Sequence, residues 1–385
     1  MIRSIFERTS HLHNYLTSSS VTGSLLFGSA IVGIVIASSP WSVSFQHLLD
    51  HIPFPSLPLT TETWISHGLM SFFFLLLALE IRQEFDTGSL KEWKQALIPL
   101  LGAAGGMAVP ALTAIICDLI VPHSPGFQGW AIPTATDAAF TVPILTLIPG
   151  IPSSLRAFLM SLAVFDDLGA ILILALFYGQ TPHLIWVLGS LLPLSVLFLM
   201  GKKQVRSLWW YLLPTALLWL GLYHAGIEPT LAGVALGVCY PPRFGRKISH
   251  VLAFPVGTLI LPLFALVSTG INLRQISPHD LTSAPFLSSA LGLCLGKPIG
   301  VGGTVLLINQ TKILPPIPFL KGMGLLGISF LCGIGFTISL LITQLAYPSP
   351  SLLMEGRCGV LIGSIISALL GAITLRCVFR RQSVE

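Results

Sequence analysis

Apolar residues in this chain fall in long continuous runs, neither alternating as on a half-buried strand nor confined to one stripe as on the helices of a soluble core. The runs lie at about 21–38, 64–81, 95–121, 129–149, 155–178, 183–201, 207–223, 229–240, 250–270, 285–307, 320–345 and 356–378. At ~1.5 Å of rise per residue, a helix of about 20 residues crosses the ~30 Å hydrocarbon core of a bilayer. The pattern therefore predicts an all-α polytopic membrane protein with twelve transmembrane helices. The run 229–240 is short enough to be a half-membrane element. Residues 39–64 contain several prolines and no Lys or Arg, which reads as an external loop. A signal peptide is the rival reading of the first run, but that run exceeds the ~7–15 apolar residues of such a segment.

Composition agrees with the pattern. Of 385 residues, 53% are hydrophobic and only 9% charged, against about 25% charged in ordinary soluble domains. No soluble domain or long linker interrupts the runs, so residues 1–385 read as a single integral membrane domain. The formal charge of +5 forms no patch with interleaved aromatics, which excludes nucleic acid as a partner. The placement of the basic residues is topological. With the amino terminus inside, Arg3, Arg8, Arg82, Lys91, Lys94, Arg156, Lys202, Lys203, Arg206, Arg243, Arg246, Lys247, Lys312, Lys321, Arg376, Arg380 and Arg381 all fall on one side. Arg274 and Arg357 fall on the other, and Lys297 lies within a run. This is the positive-inside pattern, with both termini cytoplasmic. The six cysteines show neither CxxC nor metal-type spacing and read as small buried hydrophobes.

Against this apolar background the costly residues stand out. Asp166 and Asp167 are adjacent near the middle of the run 155–178. Each ionised Asp at that depth costs roughly 2.5–3.5 kcal/mol on insertion scales. Successive helical side chains point about 100° apart, so the pair does not face one neighbour, and at least one member is expected to face a water-filled cavity. The other ionisable residues inside the runs are Asp137 and Lys297, with Glu80 near a cytoplasmic end. Lys297 is flanked by Gly292, Gly296 and Gly300, a spacing that allows a second helix to come close. A structural ion pair with Lys297 accounts for one of these acids, or two at most. Three acids against one base leave surplus negative charge, which suits protons or a small cation.

Two runs carry helix-unfriendly centres. AIPTATDAAFTVP has Pro133 and Pro143 around Thr136 and Asp137, and LCGIGFTIS has Gly333 and Gly335. Each is a place where the helical hydrogen-bond ladder opens. They are the middle runs of two three-run groups, 95–178 and 285–378, that start on opposite sides of the membrane, the pattern of an inverted-topology repeat. Carboxylates, the Thr136 hydroxyl, freed carbonyls and water form a hard-oxygen donor set for an alkali or alkaline-earth cation. Protons compete for the same oxygens, and such competition with alternating access makes an exchanger.

The blocks FFFLLLALEIRQEFDTGSL (72–90), GWAIPTATDAAF (129–140), AVFDDLGAILILALFY (163–178), TLAGV (230–234), LILPLFAL (259–266), GKPIG (296–300) and LCGIGFTISLLI (331–342) closely resemble the NhaA-type sodium/proton antiporters. The likeness runs in order over residues 20–378. It implies a twelve-helix bacterial inner-membrane exchanger that expels sodium or lithium against protons through two crossed, discontinuous helices. By the same resemblance Asp167, with Asp166, is the cation and proton site, Asp166 pairs with Lys297, and Asp137 and Thr136 are the broken-helix residues beside it. Asp137 then offsets helix amino termini and Lys297 helix carboxyl termini. Glu80, Glu84 and His250 match the family's pH-response cluster. The match is imperfect there: Gln83, Ser249 and Ala253 replace a basic residue, an acid and a histidine, Glu228 replaces a histidine, and His67 stands where an acid is frequent. A shifted or weaker pH dependence follows, since His titrates near neutrality.

The expected partners are sodium or lithium ions, protons and membrane lipid, with a homodimer admitted and no cofactor or enzymatic activity expected. An intramembrane aspartyl protease needs carboxylates that face each other, and no GxGD motif is present. A sodium-coupled symporter for an organic solute is the closer rival, and it needs a polar solute pocket that the sequence does not display.

Overall fold

The computed structural model describes residues 19–382 apart from 56, 88–92, 123–126, 180–182, 312–319 and 321. Arg3, Arg8, Lys91, Lys312 and Lys321, which entered the charge argument, lie outside the described residues. Among the described residues the secondary structure is helical throughout, without strands. In chain order the helices are α1 (Ser19–Ala37), α2 (Ser42–Asp50), α3 (Met70–Thr87), α4 (Trp93–Ile120), α5 (Ala138–Thr146), α6 (Ser153–Phe177), α7 (Leu184–Lys202) and α8 (Leu208–Ala225). There follow α9 (Leu231–Cys239), α10 (Pro242–Pro255), α11 (Leu261–Ser268), α12 (Ala284–Leu291), α13 (Lys297–Thr311), α14 (Gly322–Leu331), α15 (Phe336–Ala346) and α16 (Pro350–Gln382). Wide π turns at Trp64–Leu69, Val256–Ile260 and Gly292–Gly296 lead without a break into α3, α11 and α13.

Among the described residues, seven helices are long and apolar enough to cross a membrane, or up to nine if each of two bent pairs is one span. Of the other runs expected to span, α8 is a continuous helix of 18 residues that is rich in Trp and Tyr, whereas the nine-residue α9 is short and the run 129–149 is broken into the 3-10 turn Ile132–Thr134 and α5. At ~1.5 Å per residue α9 covers less than half of a ~30 Å core. One expectation needs correcting. The stretch 39–64, read as a loop, contains α2, because its apolar residues return every three to four positions and a helix gathers them on one side.

The chain divides into two compact units, residues 1–88 with 171–270, and residues 89–170 with 271–385. In the first, α3 packs on α9 and α10, α7 on α8, and α1 on α11. Its core gathers Leu75, Leu79, Leu197, Tyr211, Leu218, Trp219, Leu236 and Tyr240. Helix α8 stops at Gly226, whose φ of +76° is the left-handed geometry that glycine adopts without a Cβ penalty. The Arg82 guanidinium donates to the carbonyls of Val238 and, at 2.6 Å, Tyr240. Arg82, counted above among the cytoplasmic basic residues, thus also satisfies carbonyls at the end of α9.

In the second unit α4 packs along α12 and α13, and α16 packs on α12 and α14. Leu145, Phe158, Leu159, Leu162, Val301, Ile328, Leu331 and Leu375 belong to its core. The glycines around Lys297 sit where α4 comes closest. A Cβ on Gly300 would collide with the carbonyl of Gly105, and one on Gly296 would lie 2.8 Å from the Pro110 Cα. Their absent side chains let α4 and α13 touch backbone to backbone.

Candidate functional site

The second unit holds two interrupted helices whose non-helical stretches lie side by side. The first runs from the turn Ile132–Thr134 through extended residues to α5, with Ala135 at φ −88°, ψ 154°. The second breaks between α14 and α15, which diverge by 47°. Inside a membrane such stretches must find partners for their own peptide groups. Here they largely satisfy each other. The Asp137 amide donates to the Ile334 carbonyl at 2.6 Å, and the Ser339 hydroxyl donates to the Ile132 carbonyl at 2.6 Å. Helix α16 adds the Ser364 hydroxyl, which accepts from the Gly335 amide at 3.3 Å.

Pro133, Gly333 and Gly335, the candidates for the breaks, occupy places where only these shapes fit. The Pro133 ring lies against Gly292, at the start of the π turn that precedes Lys297. A Cβ on Gly333 would run into the Leu293 carbonyl, which accepts from Ser367 at 3.3 Å. One on Gly335 would meet the Ser339 hydroxyl and the Leu293 side chain. The π turn therefore turns a carbonyl toward α16 just ahead of the lysine. Wide turns of this kind recur at functional sites.

Asp137 is 3% exposed and spans the two breaks. One carboxylate oxygen accepts from the Ala139 amide at 3.0 Å, at the start of α5, and the other accepts from the Thr337 amide at 2.8 Å, at the start of α15. A single side chain thus caps two helix amino termini and offsets the positive ends of both dipoles. Asp137→Ala is expected to leave two buried amides without these acceptors, at about 1–3 kcal/mol each. Thermal unfolding of the purified variant would register this as a lower Tm, and Asp137→Asn, which keeps one acceptor oxygen, should recover part of it.

Asp166 and Lys297 are both 0% exposed, and Lys297 Nζ lies 2.5 Å from Asp166 Oδ2. The Thr136 hydroxyl stands 2.6 Å from the same oxygen and 2.8 Å from the Cys332 carbonyl at the end of α14. Its one proton serves one of these two acceptors at a time. The other Asp166 oxygen, Oδ1, is buried with no hydrogen-bond partner among the described residues. Asp167, next on α6, is 6% exposed. Both adjacent acids are buried, and Asp166 is the one that meets the lysine and the threonine.

The pH-response candidates lie in the first unit. Glu80 and Glu84 are on α3 and His250 is on α10, which packs against α3. Glu80 and His250 are exposed. Two of the departures from the family pattern turn out to be one feature. His67 Nδ1 lies 2.8 Å from Glu228 Oε1, so the two residues form one acid–base pair. The Glu228 oxygen also accepts from the Thr230 amide at 3.3 Å and faces its hydroxyl at 3.0 Å. The backbone carbonyl of His67 accepts from the Trp219 indole at 3.2 Å. Burial alone would raise the Glu228 pKa, but His67 and Thr230 outweigh it and hold the carboxyl below its ordinary value. The stabilisation therefore exists above the ordinary Glu value of ~4.3 while His67 carries its proton, and is lost as pH falls through the lower folded value. Glu228→Gln should be less stable than the parent near neutrality, and acid titration of the two unfolding curves should bring them together.

The sequence reading did not anticipate the roles of Ser339, Ser364 and Ser367. The signal available was modest: serines spaced three apart in an apolar run, as in GSIIS (363–367).

Comparison with known proteins places the chain. The profile of the family described as Na+/H+ antiporter 1 matches residues 13–375. The chain is similar to the Na(+)/H(+) antiporter NhaA of Gluconacetobacter diazotrophicus, 38% identical over 98% of this chain and 99% of the relative. It is likewise 38% identical to the NhaA of Gluconobacter oxydans, over 97% of this chain and 95% of that protein. Among solved structures, the sodium proton antiporter MjNhaP1 from Methanocaldococcus jannaschii shares the fold, with a TM-score of 0.56, 15% identity, and coverage of 96% of this chain and 97% of that one. With the family profile and full-length relatives in agreement, this multi-pass membrane protein belongs to the Na+/H+ antiporter 1 family.

Proposed function

We propose that the protein exchanges intracellular sodium or lithium for external protons, with Asp167, assisted by Asp166, as the seat for which cation and proton compete. The observation that supports this most directly is the division of labour among neighbouring acids. Asp137 caps two helix amino termini and Asp166 meets Lys297 and Thr136, and Asp167, also buried, adds a further carboxylate next to Asp166 on α6. Carboxylate oxygens are hard donors suited to an alkali ion. Two protons given up for one monovalent cation would make the exchange electrogenic.

The same reading extends to architecture and setting. Twelve spans, an inverted repeat of about 95–178 and 285–378, and crossing of the two interrupted helices are proposed on the pattern of runs and breaks. An inner-membrane location with both termini cytoplasmic is proposed on the distribution of Lys and Arg, and a homodimer remains compatible with the sequence. Glu80, Glu84 and His250 are proposed to shape the response to cytoplasmic pH. Ala253 removes a group that titrates near neutrality and Gln83 and Ser249 remove fixed charges from the cluster, so a shifted or shallower activation is expected.

The deciding experiment adds sodium to everted vesicles that carry an imposed pH gradient and follows the gradient with a dye. Sodium-evoked collapse of the gradient supports exchange. Solute uptake with no sodium-evoked pH change would overturn it in favour of symport.

A further inference from the structure

Helix α2 leaves the end of α1 at an angle of 111°. A helix of 19 residues is about 28 Å long, close to the ~30 Å thickness of the hydrocarbon core. Helix α1 therefore ends near a membrane surface. A turn of more than a right angle then directs α2 along that surface and slightly back toward the layer α1 has crossed.

The side chains of α2 sort by environment. At ~100° per residue, Trp41, Phe45, Leu48 and Leu49 share an arc of ~100°. Ser44, Gln46, His47 and Asp50 take the opposite side, with Val43 as the one large apolar residue among them. One edge of the apolar arc rests on protein, since Leu49 is 5% exposed and the Phe45 ring lies against Gly270. The other edge is open: Trp41 is 75% and Leu48 59% exposed. Ile52 and Phe54, just beyond the helix, and Phe27, Ile31 and Val35 on α1 are exposed as well.

We propose that α2 is an interfacial helix, lying in the headgroup boundary with Trp41 and Leu48 in lipid and Gln46, His47 and Asp50 in water. Amphipathic helices of this kind sit with the apolar side ~5–10 Å into the boundary. Lipid fits better than a second copy of the chain. The open side chains of the apolar arc of α2 itself, Trp41 and Leu48, reach at most ~500 Å² together at ~250 Å² each, below the ~800 Å² per partner of a standard interface. Helix α1 also brings the chain to the membrane surface just ahead of α2, where lipid is the neighbour at hand. Residues 39–64 carry no Lys or Arg, so attachment is apolar and indifferent to lipid charge.

This inference needs α1 to span a membrane and does not rest on the exchange reading. The test places the photoreactive residue p-benzoylphenylalanine at Leu48, or at Gln46 as the polar-side control, in the full chain in phosphatidylcholine bilayers with and without phosphatidylglycerol. Acyl-chain adducts at position 48 severalfold above those at position 46, equal in both lipids, are the expected result. Crosslinking of position 48 to a second copy, equal lipid labelling at both positions, or adducts only with phosphatidylglycerol would overturn it. A second arm needs no photoreactive residue. Acyl-brominated lipid should quench a smaller part of the tryptophan emission in Trp41→Phe than in the parent, and an undiminished quenched part would count against the proposal.

Discussion

Asp167→Asn is expected to remove the sodium-evoked collapse of a pH gradient in everted vesicles while leaving the protein folded. The substitution keeps the shape of the side chain and deletes its charge and its titratable proton together. Two unit charges ~4 Å apart at an effective dielectric of ~20 interact by about 4 kcal/mol, roughly a thousandfold in binding. Loss of that interaction puts cation affinity outside any useful range. It is Asp166 that lies against the lysine, and asparagine keeps the volume of the Asp167 side chain, so the fold should survive the change. Unfolding curves for the purified variant check that half of the statement, and gradient dissipation checks the other. Exchange at the parent rate in a folded Asp167→Asn protein would remove Asp167 from the proposed role.

The largest loss of stability should come from splitting the Asp166 and Lys297 pair. Both groups are wholly buried and meet at 2.5 Å. Removing either one strands the other without its counter-charge, at about 3–5 kcal/mol, whereas replacing both together is often close to neutral. Lys297→Met and Asp166→Asn should therefore each lower the Tm strongly, and the double variant should be more stable than either. Thermal unfolding of the three proteins in one detergent reads this directly. The same set separates stability from transport. A double variant that is stable yet inactive would give the pair a part in exchange beyond holding the helices together.

Much of the fold was legible from the chain because membrane burial imposes a simple rule on backbone and side chains alike. Runs of about 20 apolar residues must become helices, since no water is present to satisfy peptide groups. The described helices follow the expected runs closely; α6, for example, occupies 153–177 against an expected 155–178. The break at Pro133 and the break at Gly333 and Gly335 were visible as residues that weaken a helical ladder. The loop at 39–64 was misread because its nine-residue helix is too short and too mixed to stand out as a run. The departures at His67 and Glu228 were read singly because they lie 161 positions apart in the chain, although they meet as one pair.

By itself the sequence determined that this is a helical membrane protein, where its helices fall, which two of them break, and which few charged residues carry too high a cost to be incidental. These are consequences of local composition, and local composition is written directly along a chain. Only the tertiary structure decided what each costly residue meets. Asp137 caps two helices that begin 198 residues apart, Lys297 closes on Asp166 across 131 positions, and the serines of α16 support a break in another helix. Such pairings depend on which backbones can approach, and that depends on absent side chains at Gly300, Gly333 and Gly335 as much as on the charged groups themselves.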